Sequence, residues 1–239
     1  MGKCIMSGIV PQLTVPFPRI KASDLAVGST VKLMENNVAI EYLIVHQGLP
    51  SSMYDASCDG CWLLRKDIHS LRPWHTSDSD NYKNSAINTW LNGDFLNSLG
   101  AVEQAAVKTV KIPYRNGGYG GNDQSGANGL PVQSFLLSGY EVGWTISDKQ
   151  YLPVDGAKLD YFIASSDGDY KRVAYHFTTA TGWWLRDPDT TGNTNAFAVG
   201  WSGATSNMGT SNSSGIRPAL VLPSTALFTE DTLLLKGVA

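Results

Sequence analysis

The sequence predicts a single α+β domain preceded by a proline-rich N-terminal arm. Three observations carry that expectation. Short β-branched and aromatic runs, separated by turn residues, recur along most of the chain. One stretch, residues 84–99, repeats its apolar residues at helical spacing instead. No change of composition marks a linker between two cores. With 239 residues, 42% of them hydrophobic and 10% aromatic, the chain can fill one core.

The elements follow in order. The arm, residues 1–22, holds Pro11, Pro16 and Pro18 and few polar anchors; residues 23–239 form the domain. Residues 28–48, "GSTVKLMENNVAIEYLIVHQG", read as a hairpin turning at "ENN". "CWLLRKDI", residues 61–68, is a third strand, and "CDGC" before it reads as a glycine turn with half-buried thiols. In residues 84–99, Ile87, Trp90, Leu91, Phe95 and Leu99 share a helical face, and Asn84 or Ser85 can cap it. Residues 100–110 form a second helix running into the strand "VKIPY". The Gly-rich residues 115–131 are expected to be a surface loop; the order and the Lys of a phosphate cradle are missing. "SFLLSGYEVGW", "RVAYHF", "GWWLRDP", "NAFAVG" and "GIRPALVLP" complete a series of short strands.

Several function classes are disfavoured. A net charge of -3 gives no footprint for nucleic acid. No run approaches the roughly 18 apolar residues that suggest a membrane span. The N-terminus lacks the apolar stretch of a secretory signal, so synthesis in a cytoplasm without a signal peptide is expected. Cys4, Cys58 and Cys61 are an odd count, against a disulfide framework. One CxxC and four unclustered histidines do not make a zinc site. Neither G-x-S-x-G nor H-E-x-x-H occurs, and His75 and His176 have no visible catalytic partner. The expectation is a non-enzyme with no cofactor. "DPDTTGN", residues 187–193, imitates the start of a calcium loop, but its twelfth position is Ala198 rather than a bidentate Glu. An Asx turn is favoured there, and no metal is assigned, with calcium at Asp187 and Asp189 left open.

Residues 198–214 raise the main question. They are almost all Gly, Ser, Thr, Asn and Ala, yet they lie between "GWWLRDP" and an apolar strand. Adjacent Trp183 and Trp184 point to opposite faces of a strand, one into the core and one toward a second layer or solvent. Arg186 and Arg217 flank the stretch and are expected to pin carbonyls or carboxylates. Residues 203–214 are expected to be a folded surface loop held by the strands around Trp184 and Ile216. Within "NAFAVGWS", Phe197 and Val199 are predicted to point inward, Ala198 and Gly200 outward, with Trp201 breaking away at the turn.

"SAINTWLNGDFLNSL", "FLLSGYEVGW", "GWWLRDP" and "GIRPALVLP", in this order, resemble a bacterial and bacteriophage domain family of the C-type lectin-like superfamily. That family is catalogued as a domain of unknown function and is frequent in gut Firmicutes and their phages. The likeness spans roughly residues 22–223, and its W-W-L-R and G-I-R-P-A-L elements are its most specific parts. The resemblance implies a C-type lectin-like fold on a scaffold like that of formylglycine-generating enzymes. Those enzymes use a cysteine pair in their C-terminal half; here every cysteine precedes residue 62, so the sulfatase-activating type of chemistry is missing.

The segment between the two motifs looks like the variable region of diversity-generating retroelement target proteins. Adenine-directed mutagenesis of Asn codons yields Ser, Thr, Gly, Ala and Asp but never Lys, Gln or Glu, and residues 190–216 contain no charge and no Gln. Trp201 and Met208 cannot arise this way, so either those positions have other template codons or this copy is not diversified.

The resemblance thus implies a ligand-binding face on residues 187–215. It is assigned to Asp189, Thr191, Asn193, Asn195, Ala198, Gly200, Trp201, Ser202, Ala204, Thr205, Ser206, Met208, Thr210 and Asn212. The expected role is a receptor-binding adhesin on a phage virion or tail, with a host cell-surface protein or glycan as partner. The arm would dock other virion subunits, and a homo-oligomer is compatible. The alternative is a virion decoration or baseplate protein that binds no ligand.

Overall fold

A computed structural model of the chain describes residues 18–77, 79–145, 150–163, 170–192 and 194–239. Its architecture is β-rich with a short helical segment. The strands are β1 (Arg19–Lys21), β2 (Thr30–Glu35), β3 (Val38–Gly48), β4 (Gly60–Arg65) and β5 (Leu71–Pro73). The helical segment follows as α1 (Ala86–Trp90), a π-helical stretch (Leu91–Phe95), α2 (Leu96–Ser98) and α3 (Ala101–Ala106). Next come β6 (Val110–Ile112), β7 (Tyr114–Asn116), β8 (Asn122–Gln124), β9 (Leu130–Val132) and β10 (Ser134–Phe135). The C-terminal part holds β11 (Tyr175–His176), β12 (Thr179–Ala180), β13 (Trp183–Pro188), β14 (Asn195–Val199), β15 (Thr205–Gly209) and β16 (Ser213–Gly215). Finally there are β17 (Ala219–Leu222), β18 (Ala226–Thr229) and β19 (Leu235–Val238).

Two five-stranded sheets dominate, in the orders β10-β17-β4-β3-β2 and β15-β14-β13-β16-β5. The first is antiparallel throughout. The second is antiparallel except where β13 runs parallel to β16. One buried cluster joins elements of both sheets and the helical segment.

The β2–β3 hairpin forms as predicted. Asn36 and Asn37 both take positive φ, 47° and 64°, which Asn tolerates and a two-residue hairpin turn requires. The helix over residues 84–99 also follows its pattern. The Ser85 hydroxyl accepts from the Asn88 amide at 3.1 Å, and Ile87, Leu91, Phe95 and Leu99 are buried.

The two sheets share a joint. The chain through β4 and β5 runs antiparallel to the chain through β16 and β17, and the bend between them is bridged by Arg65 N–H to Pro218 O, His69 N–H to Ile216 O and Ile216 N–H to Ser70 O. Arg217 sits at the bend. Its guanidinium donates to the carbonyls of Arg65 and Lys66 and lies 4.7 Å from the centre of the Trp183 ring. Burial lowers its pKa to about 10, still well above neutral pH.

Five expectations need correction. The strand expected over residues 61–68 ends at Arg65, because the next residues make the joint. Cys58 and Cys61 are fully buried rather than half-buried. The Gly-rich loop contains the β7–β8 hairpin, whose turn uses positive φ at Gly117, Gly118 and Gly120. "SFLLSGYEVGW" supplies only the two residues of β10, and its remainder is turn. The expected arm ends early as well. Arg19–Lys21 pairs with β18 and Ala22 is fully buried, so the end of that segment belongs to the body, while residues 1–17 lie outside the described residues.

Candidate functional site

The segment over residues 187–215 starts at the end of β13. The Asp189 side chain accepts from the Thr191 amide at 2.9 Å and the Thr191 hydroxyl at 2.6 Å, an Asx turn, while its other oxygen accepts from Asn207 Nδ2 at 2.5 Å. Asp189 is thus buried and spent on its own loop, so it is corrected from a ligand contact to a turn anchor.

β14 then crosses the sheet. Phe197 is nearly buried and Ala196, Ala198 and Val199 are completely buried, so both faces of this strand are covered. The predicted outward Ala198 is corrected: with no exposed surface, it cannot touch a ligand. Trp184 stands opposite it in the register, and the indoles of Trp183 and Trp184 are both buried, donating to Arg172 O and Arg72 O.

The chain reverses over residues 200–204. The Gly200 amide donates to Ala204 O at 2.7 Å, and Gly203 takes φ +82°. Trp201 is 70% exposed at this tip and Ser202 is also exposed. Behind the tip lies Arg172, fully buried, which donates to Gly203 O, Val142 O and Ile163 O. The β11–β12 hairpin leads into β13 at Gly182, which lies against Gly200, and its turn carries Phe177 at 88% exposure.

Residues 203–214 are not the expected irregular loop. β15 pairs in full register with β14, from Val199↔Thr205 to Asn195↔Gly209, and β16 pairs with both β5 and β13. Small polar residues suffice here because β15 has one partner strand and no deep core beneath it.

Of the remaining assigned residues, Thr191 and Asn212 are exposed. Asn195, Gly200, Ala204, Thr205 and Ser206 are half-exposed, and Met208 leans against the core. Thr210 is corrected to a buried position. Its amide donates to Thr194 O, its carbonyl accepts from His75 N–H, and it holds the segment to the body. Asn193 lies outside the described residues.

A concavity of about 240 Å³ opens beside β15, between Gln150 and Tyr151 on one side and Asp189 with the hairpin residues Phe197, Thr205, Ser206 and Asn207 on the other. The Thr205 hydroxyl is buried there without a hydrogen-bond partner among the described residues. Tyr151, Phe177 and Asn207 were not among the expected site residues. Tyr151 arrives from a distant turn, and its position had no signature in the sequence.

A second polar group lies deeper. Arg186 is fully buried and donates to both oxygens of Glu141, at 2.6 and 2.8 Å, and to Pro113 O, Leu136 O and Asp155 O. Tyr54 donates to Glu141 at 2.7 Å. Asp155 and Asp187 complete the group, also without exposed surface. Burial raises Asp187 to about 6 and pushes Asp155 well above the usual carboxylate range, with the neighbouring Asp187 charge adding to the effect on Asp155. The group is closed to solvent, so it can clamp the fold but cannot meet a substrate. Among the described residues no His, Cys, Asp or Glu cluster is placed to hold a metal ion, and no helix is long and apolar enough to cross a membrane.

A family model described as "Domain of unknown function (DUF6273)" matches residues 59–224, more than two thirds of the chain. No curated protein and no solved structure matches it.

Proposed function

The chain belongs to the DUF6273 domain family, and on that footing we propose that it is a non-enzymatic ligand-binding module with a C-type lectin-like fold, displayed on a phage virion or tail. One observation carries the reading. Within the uncharged residues 190–216, β14 and β15 form a hairpin at the sheet edge, anchored by β13 on one side of the sequence and by β16 on the other, with Trp201 held out at its tip. A fold of this class keeps its stability in the scaffold and lets a surface segment vary. Aromatic side chains set among small polar ones are suited to contacting a partner. The partner is a host cell-surface protein or glycan.

The non-enzymatic part is supported by the cysteines. Cys58 and Cys61 are buried thiols whose pKa desolvation raises to about 12, and a nucleophilic thiol needs the opposite. Diversification by a retroelement is supported by the composition of residues 190–216, which hold no charged residue and no Gln. A reverse transcriptase gene and an Asn-rich near-copy of codons 187–217 in the flanking DNA would establish it.

The direct experiment measures binding of fluorescently labelled protein to a panel of gut Firmicutes cells. Wild type should stain at least one strain and Trp201→Ala should stain it several-fold less, with an unchanged melting curve. Equal staining by both proteins would remove Trp201 from the binding face. The second reading, a virion structural subunit, draws on the proline-containing residues 1–17 that precede β1 in the sequence. Under that reading wild type stains no cells, and deleting residues 1–17 should abolish particle incorporation.

A further inference from the structure

β15 is an outer strand, and among the described residues it pairs on one side only. The alternation of its bonds can be worked out. The Gly200 amide donates to Ala204 O and the Thr210 amide to Thr194 O, so the even-numbered residues of β15 bond to β14. Thr205, Asn207 and Gly209 therefore direct their N–H groups away from the sheet, and Thr205 and Asn207 direct their carbonyls the same way.

An open edge of this kind invites another strand, and proteins normally blunt it with charge, proline or a cover. Every other edge of the five- and three-stranded sheets is blunted. β5 carries Arg72 and Pro73, β1 carries Arg19 and Lys21, and β19 carries Lys236. β2 carries Lys32 and Glu35 and is bridged by Leu234 and Leu99. β10 has two residues, and the Asn92 side chain bonds both the amide and the carbonyl of Ser134. β15, "TSNMG", has no charge and no proline.

We infer that this edge is a docking site for an extended, uncharged polypeptide segment of a partner protein, added to the sheet as a sixth strand beside β15. The inference rests on residues 187–215 being a binding face and selects protein over glycan as the partner. Main-chain bonds to Thr205 and Asn207 supply the affinity, and a side-chain pocket supplies the selectivity. Thr205, Asn207 and Phe197 share one face of the sheet by their register. The concavity between Phe197 and Tyr151 lies on that face and has room for one apolar side chain of the incoming strand. The buried Thr205 hydroxyl, without a partner among the described residues, gains one from that strand.

The test pans a displayed library of random 12-residue peptides on wild type, with counter-selection on Asn207→Pro. Proline there deletes an outward N–H and leaves the ladder to β14 in place. It also removes the Asn207 side-chain bond to Asp189, so Asn207→Ala, which loses only that bond, should bind the enriched peptides as wild type does. Enriched peptides should bind Asn207→Pro at least tenfold more weakly, and should slow hydrogen exchange at the Thr205 and Asn207 amides of wild type. The inference is overturned if no peptide is enriched, if the peptides bind a folded Asn207→Pro equally well, or if those two amides exchange unchanged. Should Asn207→Pro fail to fold, the exchange measurement on wild type decides alone. Concentration-dependent dimerisation abolished by Asn207→Pro would give the edge to a second copy and also overturn it. A glycan-array ligand that depends on Trp201, with no peptide bound, would sink the inference while leaving the binding-face reading standing. Cell binding indifferent to Trp201→Ala, with neither a glycan nor a peptide ligand, would end both.

Discussion

Arg186 and Glu141 meet in a fork with no exposed surface on either side chain, Nη1 to Oε2 at 2.6 Å and Nη2 to Oε1 at 2.8 Å. The pair ties β13, the strand that leads into β14 and β15, to the turn after β10. Removing one member strands a buried charge, so Glu141→Ala should lower stability by about 3–5 kcal/mol. Urea unfolding of the two proteins gives the difference, and a loss under 1 kcal/mol would refute the clamp.

Asp155 and Asp187 give the fold a pH dependence of unusual sign. Their folded pKa values are raised, so the folded chain keeps protons that the unfolded chain releases. This contribution to stability is fully present below the ordinary carboxylate range. It is lost as pH rises through about 6 for Asp187 and through the raised range of Asp155. Melting temperature should therefore rise as pH falls from 7.5 to 5, and Asp155→Asn should flatten that rise. Parallel slopes for wild type and Asp155→Asn would contradict the assignment.

Scaffold and hairpin should respond differently to substitution. Trp184→Ala, at a completely buried side chain, should cost about 3–5 kcal/mol. Ala198→Asn forces volume into a closed space and should cost about 1–3 kcal/mol. Swaps at Ser202 and Asn212, both exposed, should stay within about 0.5 kcal/mol. Thermal denaturation of the four variants orders them, and a sensitive Ser202 would put the tip in the core.

The two buried thiols should be inert in the native protein. With pKa values near 12 and no exposed surface, Cys58 and Cys61 should escape alkylation by iodoacetamide at pH 8 and react once denaturant is added. Peptide mapping by mass spectrometry distinguishes them from Cys4. Rapid native labelling at either would reopen a catalytic role.

Local chemistry was the legible part of this sequence. The Asn36–Asn37 turn, the Ser85 cap and the apolar stripe from Ile87 to Leu99 each declare themselves within a few residues, and each forms where expected. The arginines flanking the polar stretch also pin carbonyls and a carboxylate as their chemistry suggests. Strand β15 was hidden because an edge strand over no deep core shows no apolar alternation, and β16 because its three residues, SSG, carry no apolar side chain to show a pattern. Ala198 was misplaced because β14 is covered on both faces, which defeats an inside–outside rule. The concavity was illegible, since Tyr151 reaches it only through the tertiary fold. Nor does "DYKRVAY" announce that Arg172 will be buried behind Gly203.

Trp183 and Gly215 are partners in the parallel pairing of β13 with β16. Between those two residues the chain builds β13, β14 and β15, and the buried Ala196, Ala198 and Val199 fix the base of the hairpin. Only the reversal over residues 200–204 lies beyond them, with Trp201 and Ser202 exposed. That tip is a cassette: it can be lengthened or shortened while the strands below it stay shut.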